Sequence, residues 1–249
     1  KNPPDLPGLL CKDFNIRENT SASWLTLEEI VNPATFEMKD VYDTMAIGGC
    51  DLSATTDLTC ATLIIRKDRD KTVYVLQMYF IPQHRIDVMD EHNSQEGPYK
   101  EWAEKGLLTI CPGNRVDFSM VTSWFVQMRD QYKIDCWRVG YDRALAGYWV
   151  QEMTSNGFKL EPVAQGPFTW AQQMREMGAA LVDKTGNYNT NPALIWCLDN
   201  TGAKKSGLNN IQPVKITERR RIDGAVSLLN AWVLYVKYYE DYTYFIEEA

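Results

Sequence analysis

The chain has 249 residues, 33 acidic against 26 basic, so its formal charge is −7; 45% of its residues are apolar and 24% charged. That is the composition of a globular protein able to bury a core, in one large domain or two small ones, without disulfides or structural metal. Zinc ribbons, zinc fingers and CxxC redox chemistry are argued against, because the six cysteines (Cys11, Cys50, Cys60, Cys111, Cys136, Cys197) never form CxxC pairs and the only histidines are His84 and His92. Scattered among apolar neighbours, the cysteines read as buried thiols of a reducing compartment. No apolar run approaches the roughly 18 residues of a membrane span and no signal peptide opens the sequence, so an intracellular protein is expected. Residue 1 is Lys and Asn2-Pro3-Pro4 reads as linker. The chain is therefore expected to be part of something longer, with a domain ahead of it.

In chain order, residues 1–40 are mixed and Pro-punctuated and read as a connecting arm, with a short helix over 26–31 that stops before Asn32-Pro33. Residues 41–249 are expected to form the main domain. Short β-type runs follow at 45–50, 59–65 and 72–80, and the charged turn 66–71 makes the last two a hairpin. Spacing becomes helix-like from 82 to 105, and 107–111 is a strand closed by Pro112-Gly113. Residues 117–132 repeat apolar side chains at intervals of three and four (Val121, Trp124, Phe125, Met128), which predicts a helix. A strand at 135–141, a helix at 144–156 ended by Gly157 and a helix at 168–183 come next. Residues 193–198 are a short apolar stretch, 201–210 read as loop, 212–217 as a strand and 222–239 as a long helix. Strands first, then alternating helices and strands, predict one α/β domain with a mixed sheet.

Three aspartates stand where an apolar element ends or starts: Asp51 after Ile47-Gly48-Gly49-Cys50, Asp142 after Trp137-Arg138-Val139-Gly140-Tyr141, and Asp223 at the head of the last helix. Side chains at the carboxyl ends of strands in an α/β sheet face the crevice where ligands bind, so Asp51 and Asp142 are candidates to share a site, with Asp223 supplied by the helix. Converging carboxylates raise one another's pKa and call for a cation. Mg²⁺ or Mn²⁺ takes carboxylate oxygens and water, and two such ions about 3.5–4 Å apart clamp the attacking and leaving oxygens of phosphoryl displacement. The plainer reading is that an Asp after a strand is a turn residue or helix cap, and spacing alone leaves both open. Asp57 is a fourth candidate, for which turn stabilisation is the simpler role; Ser53, Thr55 and Thr56 either bond phosphate oxygens or satisfy a tight loop. Lys204, Lys205, Lys215, Arg219, Arg220 and Arg221 form a basic strip before the last helix, either a DNA-backbone groove or a solvated face. Trp137, Trp149, Trp170, Trp196 and Trp232 sit in apolar segments and read as core.

The runs Gly48-Gly49-Cys50-Asp51-Leu52-Ser53 with Asp57-Leu58-Thr59, Gly140-Tyr141-Asp142-Arg143, Asn191-Pro192-Ala193-Leu194-Ile195-Trp196 and Arg221-Ile222-Asp223-Gly224-Ala225-Val226, taken in order, resemble the C-terminal nuclease half of tailed-phage large terminase subunits. The resemblance covers residues 15–238, including Ser23-Trp24-Leu25 of the arm. It implies an RNase H-like fold, a mixed β-sheet flanked by helices, with Asp51, Asp142 and Asp223 as an acidic triad holding two Mg²⁺ or Mn²⁺ ions. The implied reaction is metal-dependent cutting of concatemeric phage DNA during genome packaging, in the cytoplasm of the bacterial host. It also implies partners: double-stranded DNA, an N-terminal P-loop ATPase, a small terminase subunit and a portal on the procapsid, with no membrane. No GxxxxGK[ST] segment occurs in this chain, so no motor activity is expected of it.

Two rivals remain. Asp51-Leu52-Ser53-Ala54-Thr55-Thr56 is similar to the first phosphate loop of actin-like and sugar-kinase ATPases, but Ser53 stands where Gly is needed and no second phosphate loop follows. The other is a non-catalytic DNA-docking or assembly module, in which the aspartates are caps and the strip binds backbone.

Overall fold

The computed structural model describes residues 23–55, 57–92, 96–144, 146–206, 210–218 and 220–248. Strands β1 (Met45–Asp51), β2 (Thr59–Ile65) and β3 (Val73–Pro82) form an antiparallel meander. β5 (Asp135–Tyr141) lies parallel to β1 and β6 (Leu160–Pro162) parallel to β5, while β4 (Leu108–Cys111) and the two-residue β7 (Gly186–Asn187) run parallel to β3. The order across the sheet is β4-β3-β2-β1-β5-β6. β1 and β2 are apolar almost throughout because both faces are covered. Successive side chains enter opposite cores, Ile47 and Ile64 one, and Ala46, Cys50, Leu63 and Ile65 the other.

The helices are α1 (Leu27–Ile30), α2 (Gln83–Glu91), α3 (Tyr99–Glu104), α4 (Phe118–Tyr132), α5 (Gly147–Ser155), α6 (Pro167–Val182), α7 (Pro192–Asp199), α8 (Asp223–Lys237) and α9 (Tyr239–Glu248). α6, α7 and α8 pack on one face of the sheet, α4 and α5 on the other. The arm helix α1 is closed by a capping box, Thr26 N–H donating to Glu29 Oε2 at 2.7 Å and Glu29 N–H to Thr26 Oγ1 at 3.2 Å, and it buries Leu27 and Ile30 against the larger core. Cys50, Cys60, Cys111, Cys136 and Cys197 are buried free thiols, as expected; Cys11 lies outside the described residues. Trp170, Trp196 and Trp232 are side chains of the larger core and Trp149 of the other, and Trp137, partly buried, packs against the larger core. Among the described residues no helix is long and apolar enough to cross a membrane.

Several expectations are corrected. Residues 201–210 are not loop through most of their length: β8 (Thr201–Ser206) pairs antiparallel with β9 (Asn210–Lys215) as a separate two-stranded hairpin. β8 runs from Thr201-Gly202-Ala203 into the exposed Lys204 and Lys205, a weak strand signal, although Ala203 and Ile211 pack partly buried against the larger core; Pro213 is tolerated because a two-stranded ribbon leaves it an edge. The apolar stretch at 193–198 is α7, started by Asn191, whose Oδ1 accepts from Ala193 N at 2.9 Å and Leu194 N at 3.3 Å, with Pro192 in the first turn. A buried six-residue run carries no period that separates helix from strand. The region 82–105 is two helices, and β6, β7 and α9 were not anticipated.

Candidate functional site

Register places the first two aspartates. Cys50 of β1 stands opposite Tyr141 of the parallel β5, so Asp51 and Asp142, each the next residue, leave the sheet side by side at its carboxyl edge. Asp223 arrives because α8 lies on the same two strands at very short range. A Cβ on Gly49 would fall 2.3 Å from Ser227 O, and one on Gly140 2.6 Å from Asn230 O, so only glycine lets the helix settle there. Polar side chains then fix its height. Ser227 Oγ lies 2.7 Å from Thr62 Oγ1 and 2.9 Å from Cys60 O, and Asn230 Nδ2 donates to Cys50 O at 3.0 Å. Gln77 Nε2 donates to Thr62 Oγ1 and to Gly224 O, each at 2.9 Å, which anchors the first turn of α8 beside Asp223.

Asp51, Asp57 and Asp223 line one cleft of about 390 Å³, with Ser53, Gln165, Trp170, Pro213 and Lys215 in its walls. Asp142 is outside that lining but close enough to Asp51 to raise its carboxyl. The Asp51 carboxyl is pushed well above the ordinary carboxylate range, first by burial and then by Asp223, Asp142 and Asp57, with Lys215 opposing. Asp223 is pushed up to about 7, by burial and then by Asp57, against its own backbone N–H, Lys215 and Arg221. Among the described residues, no group of three or more His, Cys, Asp or Glu side chains is gathered closely enough to hold a metal ion as it stands. The aspartates are neighbours, not a closed ligand set.

The capping explanation holds for one aspartate and fails for another. Asp142 Oδ1 accepts from Ala144 N at 3.2 Å, so it does stabilise the turn after β5. Asp223 is only 5% exposed, follows the capping position held by Ile222, and leaves its Oδ2 buried without a hydrogen-bond partner. An orphaned buried carboxylate oxygen costs free energy unless something occupies it. With Asp51 in the same cleft, Asp142 close to Asp51 and all donors oxygen, the residues fit hard divalent cations.

The remaining sequence candidates separate. Ser53 serves its loop, its N–H donating to Thr59 Oγ1 at 2.9 Å and its Oγ accepting from Asp57 N at 3.2 Å. Thr55 is exposed, and Thr56 lies outside the described residues. The basic strip does not form one surface. Lys204 and Lys205 project from β8 and Arg220 is half-buried, whereas Lys215 pairs with Asp57 Oδ2 at 2.9 Å. Arg221 is 5% exposed and bound to Asp57 Oδ1 at 2.6 Å and Glu96 Oε2 at 3.0 Å; Arg219 lies outside the described residues. Gln165, Trp170, Glu96 and Arg85 were missed. A three-residue β6 gave no strand signal that pointed to Gln165 just beyond it, Trp170 of α6 read as core, and nothing in sequence links Glu96 to a residue 125 positions away.

A family model described as the terminase large subunit, endonuclease domain, matches residues 1–237. The chain belongs to that family. The large terminase subunit of Enterobacteria phage HK97 is 27% identical over 188 residues, 72% of this chain and 35% of that protein. The HK97 large terminase crystal structure superimposes with a TM-score of 0.70 at 20% identity, over 85% of this chain and 43% of that one. The large terminase nuclease of thermophilic phage G20c, solved with bound magnesium, matches with a TM-score of 0.53 at 12% identity, over 86% of this chain and 98% of that one. The mixed sheet with helices on both faces is thus the RNase H-like fold of the terminase nucleases, and the chain spans well under half the length of the curated relatives it matches. Family membership also sets aside the actin-like or sugar-kinase reading of the loop after β1.

Proposed function

We propose that the chain is a divalent-metal-dependent endodeoxyribonuclease that cuts concatemeric phage DNA during genome packaging, in the cytoplasm of the bacterial host. The observation that carries the reading is Asp223: a buried carboxylate with an unpartnered oxygen, held by α8 next to the paired strand ends that bear Asp51 and Asp142. These three would hold two Mg²⁺ or Mn²⁺ ions, and solved relatives with bound magnesium and cobalt support that choice of cofactor. Bound there, the ions would supply the Lewis acidity that in-line phosphodiester hydrolysis needs at both the attacking and the leaving oxygen.

The chain's own groups do the rest. Asp51 and Asp142, set by strand register, and Asp223, set by the helix, give a rigid anionic floor at the end of the sheet. Lys204 and Lys205 on the hairpin, with Arg219 and Arg220 further along the strip, neutralise backbone phosphates and hold duplex DNA without reading its bases. Trp170, Val226 and Ile222 make the cleft wall apolar, which limits bulk water around the carboxylates. Within a longer protein, an ATPase domain ahead of residue 1, a small terminase subunit and a portal on the procapsid are the fitting partners.

Supercoiled plasmid incubated with the purified chain in Mn²⁺, Mg²⁺ or EDTA is the test. Nicking and linearisation should require the metal and fall below detection in Asp142→Ala and in Asp223→Asn. Retained metal-dependent cutting in Asp223→Asn would remove the helix from the site. No cutting with any metal, together with no metal-induced thermal stabilisation, would favour the non-catalytic DNA-docking module.

A further inference from the structure

Arginine beside a run of basic residues is normally solvated, and in sequence the strip Arg219-Arg220-Arg221 left a DNA-backbone groove and a solvated face both open. Arg221 is instead the buried centre of a chain of alternating charges whose other members are half-buried. One guanidinium nitrogen meets Asp57 Oδ1 at 2.6 Å and another meets Glu96 Oε2 at 3.0 Å, while Asn200 Nδ2 donates to the Arg221 carbonyl at 3.2 Å. The chain extends at both ends: Lys215 Nζ takes the second oxygen of Asp57 at 2.9 Å, and Arg85 pairs with the second oxygen of Glu96. The planar guanidinium suits this bridge, since it presents separate donors to two carboxylates at once.

The consequence falls on the cleft. Asp51, Asp57 and Asp223 all line it, so Asp57 is near enough to compete for whatever the others bind. Both oxygens of Asp57 already carry a cation, whereas no ion pair is formed by Asp51, Asp142 or Asp223 among the described residues. Resting on the metal-dependent reading above, we propose that Arg221, with Lys215, is a positioning residue that withholds Asp57 from the metal ligands, so that three carboxylates and not four face the ions. Arg221 acts through Asp57 and does not touch DNA, which its burial denies it.

Mn²⁺ binding to the full chain, followed by calorimetry without DNA, tests this. Arg221→Gln removes one cation from Asp57 and should tighten Mn²⁺ binding by about tenfold, and Asp57→Asn added to it should abolish the gain. Lys215→Gln, at a half-exposed position whose loss threatens folding less, should give a smaller tightening that Asp57→Asn also abolishes. If Arg221→Gln does not fold, the Lys215→Gln pair alone decides. A gain that survives Asp57→Asn would reflect only the lost positive charge and overturn the proposal, as would no gain in either variant. Affinity for labelled duplex in EDTA, measured against salt, gives a second readout. The slope should be unchanged in Arg221→Gln; a slope lower by about one would make Arg221 a phosphate contact instead. Wild-type chain that binds no Mn²⁺ in an Asp223-dependent way would sink the nuclease reading itself, a different outcome from metal binding that Asp57 does not modulate.

Discussion

The cleft has two sides built on opposite principles. One is α8 on β1 and β5, where backbone meets backbone across glycine and the intervening polar groups of Ser227, Thr62, Gln77 and Asn230 are buried and bonded to the sheet or to one another. The other is the β8–β9 hairpin with the loop after β1, joined across the cleft by the ion pair of Lys215 with Asp57. Close packing resists change in steps of a single methyl group, whereas a half-exposed ion pair is screened and adjustable. The proposed roles match those properties: metal-binding carboxylates on the packed side would need fixed spacing, and lysines on the ribbon would give a DNA backbone a conformable grip.

Gly49→Val tests that difference most severely. Its Cβ would meet Ser227 O at 2.3 Å and Ala231 N at 2.4 Å, both backbone atoms that cannot swing aside. The expected result is a loss of about 3 kcal/mol or more, or failure to fold, read by denaturant titration; a loss under about 1 kcal/mol would mean that α8 floats on the sheet.

The packed side also has a conditional weakness in Asp223, whose carboxyl is pushed up to about 7 by burial and by Asp57. An unfolded Asp titrates near about 4, so between about pH 4 and pH 7 the folded chain holds the extra proton and its stability in EDTA should fall as pH rises. Asp223→Asn should flatten that slope. Mn²⁺ displaces the proton, so metal-induced stabilisation should grow with pH across the same window; thermal melts at pH 5, 6, 7 and 8 with and without Mn²⁺ would show both trends or refute them.

The smallest effect on stability belongs to the ribbon. Lys204→Ala with Lys205→Ala, both exposed, should change stability by less than about 0.5 kcal/mol while reducing the salt slope of DNA binding by up to about two. An unchanged slope would take the hairpin away from DNA.

The elements legible in sequence are those whose period was strong. The strand at 59–65 and the strand at 135–141 match β2 and β5 residue for residue, and the helix at 117–132 differs from α4 by its cap, Asp117. What went unread lacked a clear period: β8 runs from Thr201-Gly202-Ala203 into two exposed lysines, α7 is apolar all round, and β6 is three residues long, whereas β9 overlaps the strand read at 212–217. At the candidate site, strand-end logic picked out Asp51 and Asp142, which the register of β1 and β5 does set side by side, and the head of the last helix offered Asp223. The treatment of Arg221 as part of a surface strip failed because burial is a property of the folded chain; Glu96 and Asp57 are brought to it from distant segments.

Local sequence thus determined most of the segments that become strands and helices and which acidic residues stand at element ends. The tertiary structure alone decided that α8 descends onto Gly49 and Gly140, that Asp223 loses its solvent and keeps one carboxylate oxygen without a partner, and that Asp57 is taken up by two cations while its neighbours are not. Periodicity and end position are set by residues a few places apart, and so can be read along the chain. Desolvation and ion pairing depend on groups more than a hundred residues apart, and exist only once the sheet and its helices have closed over them.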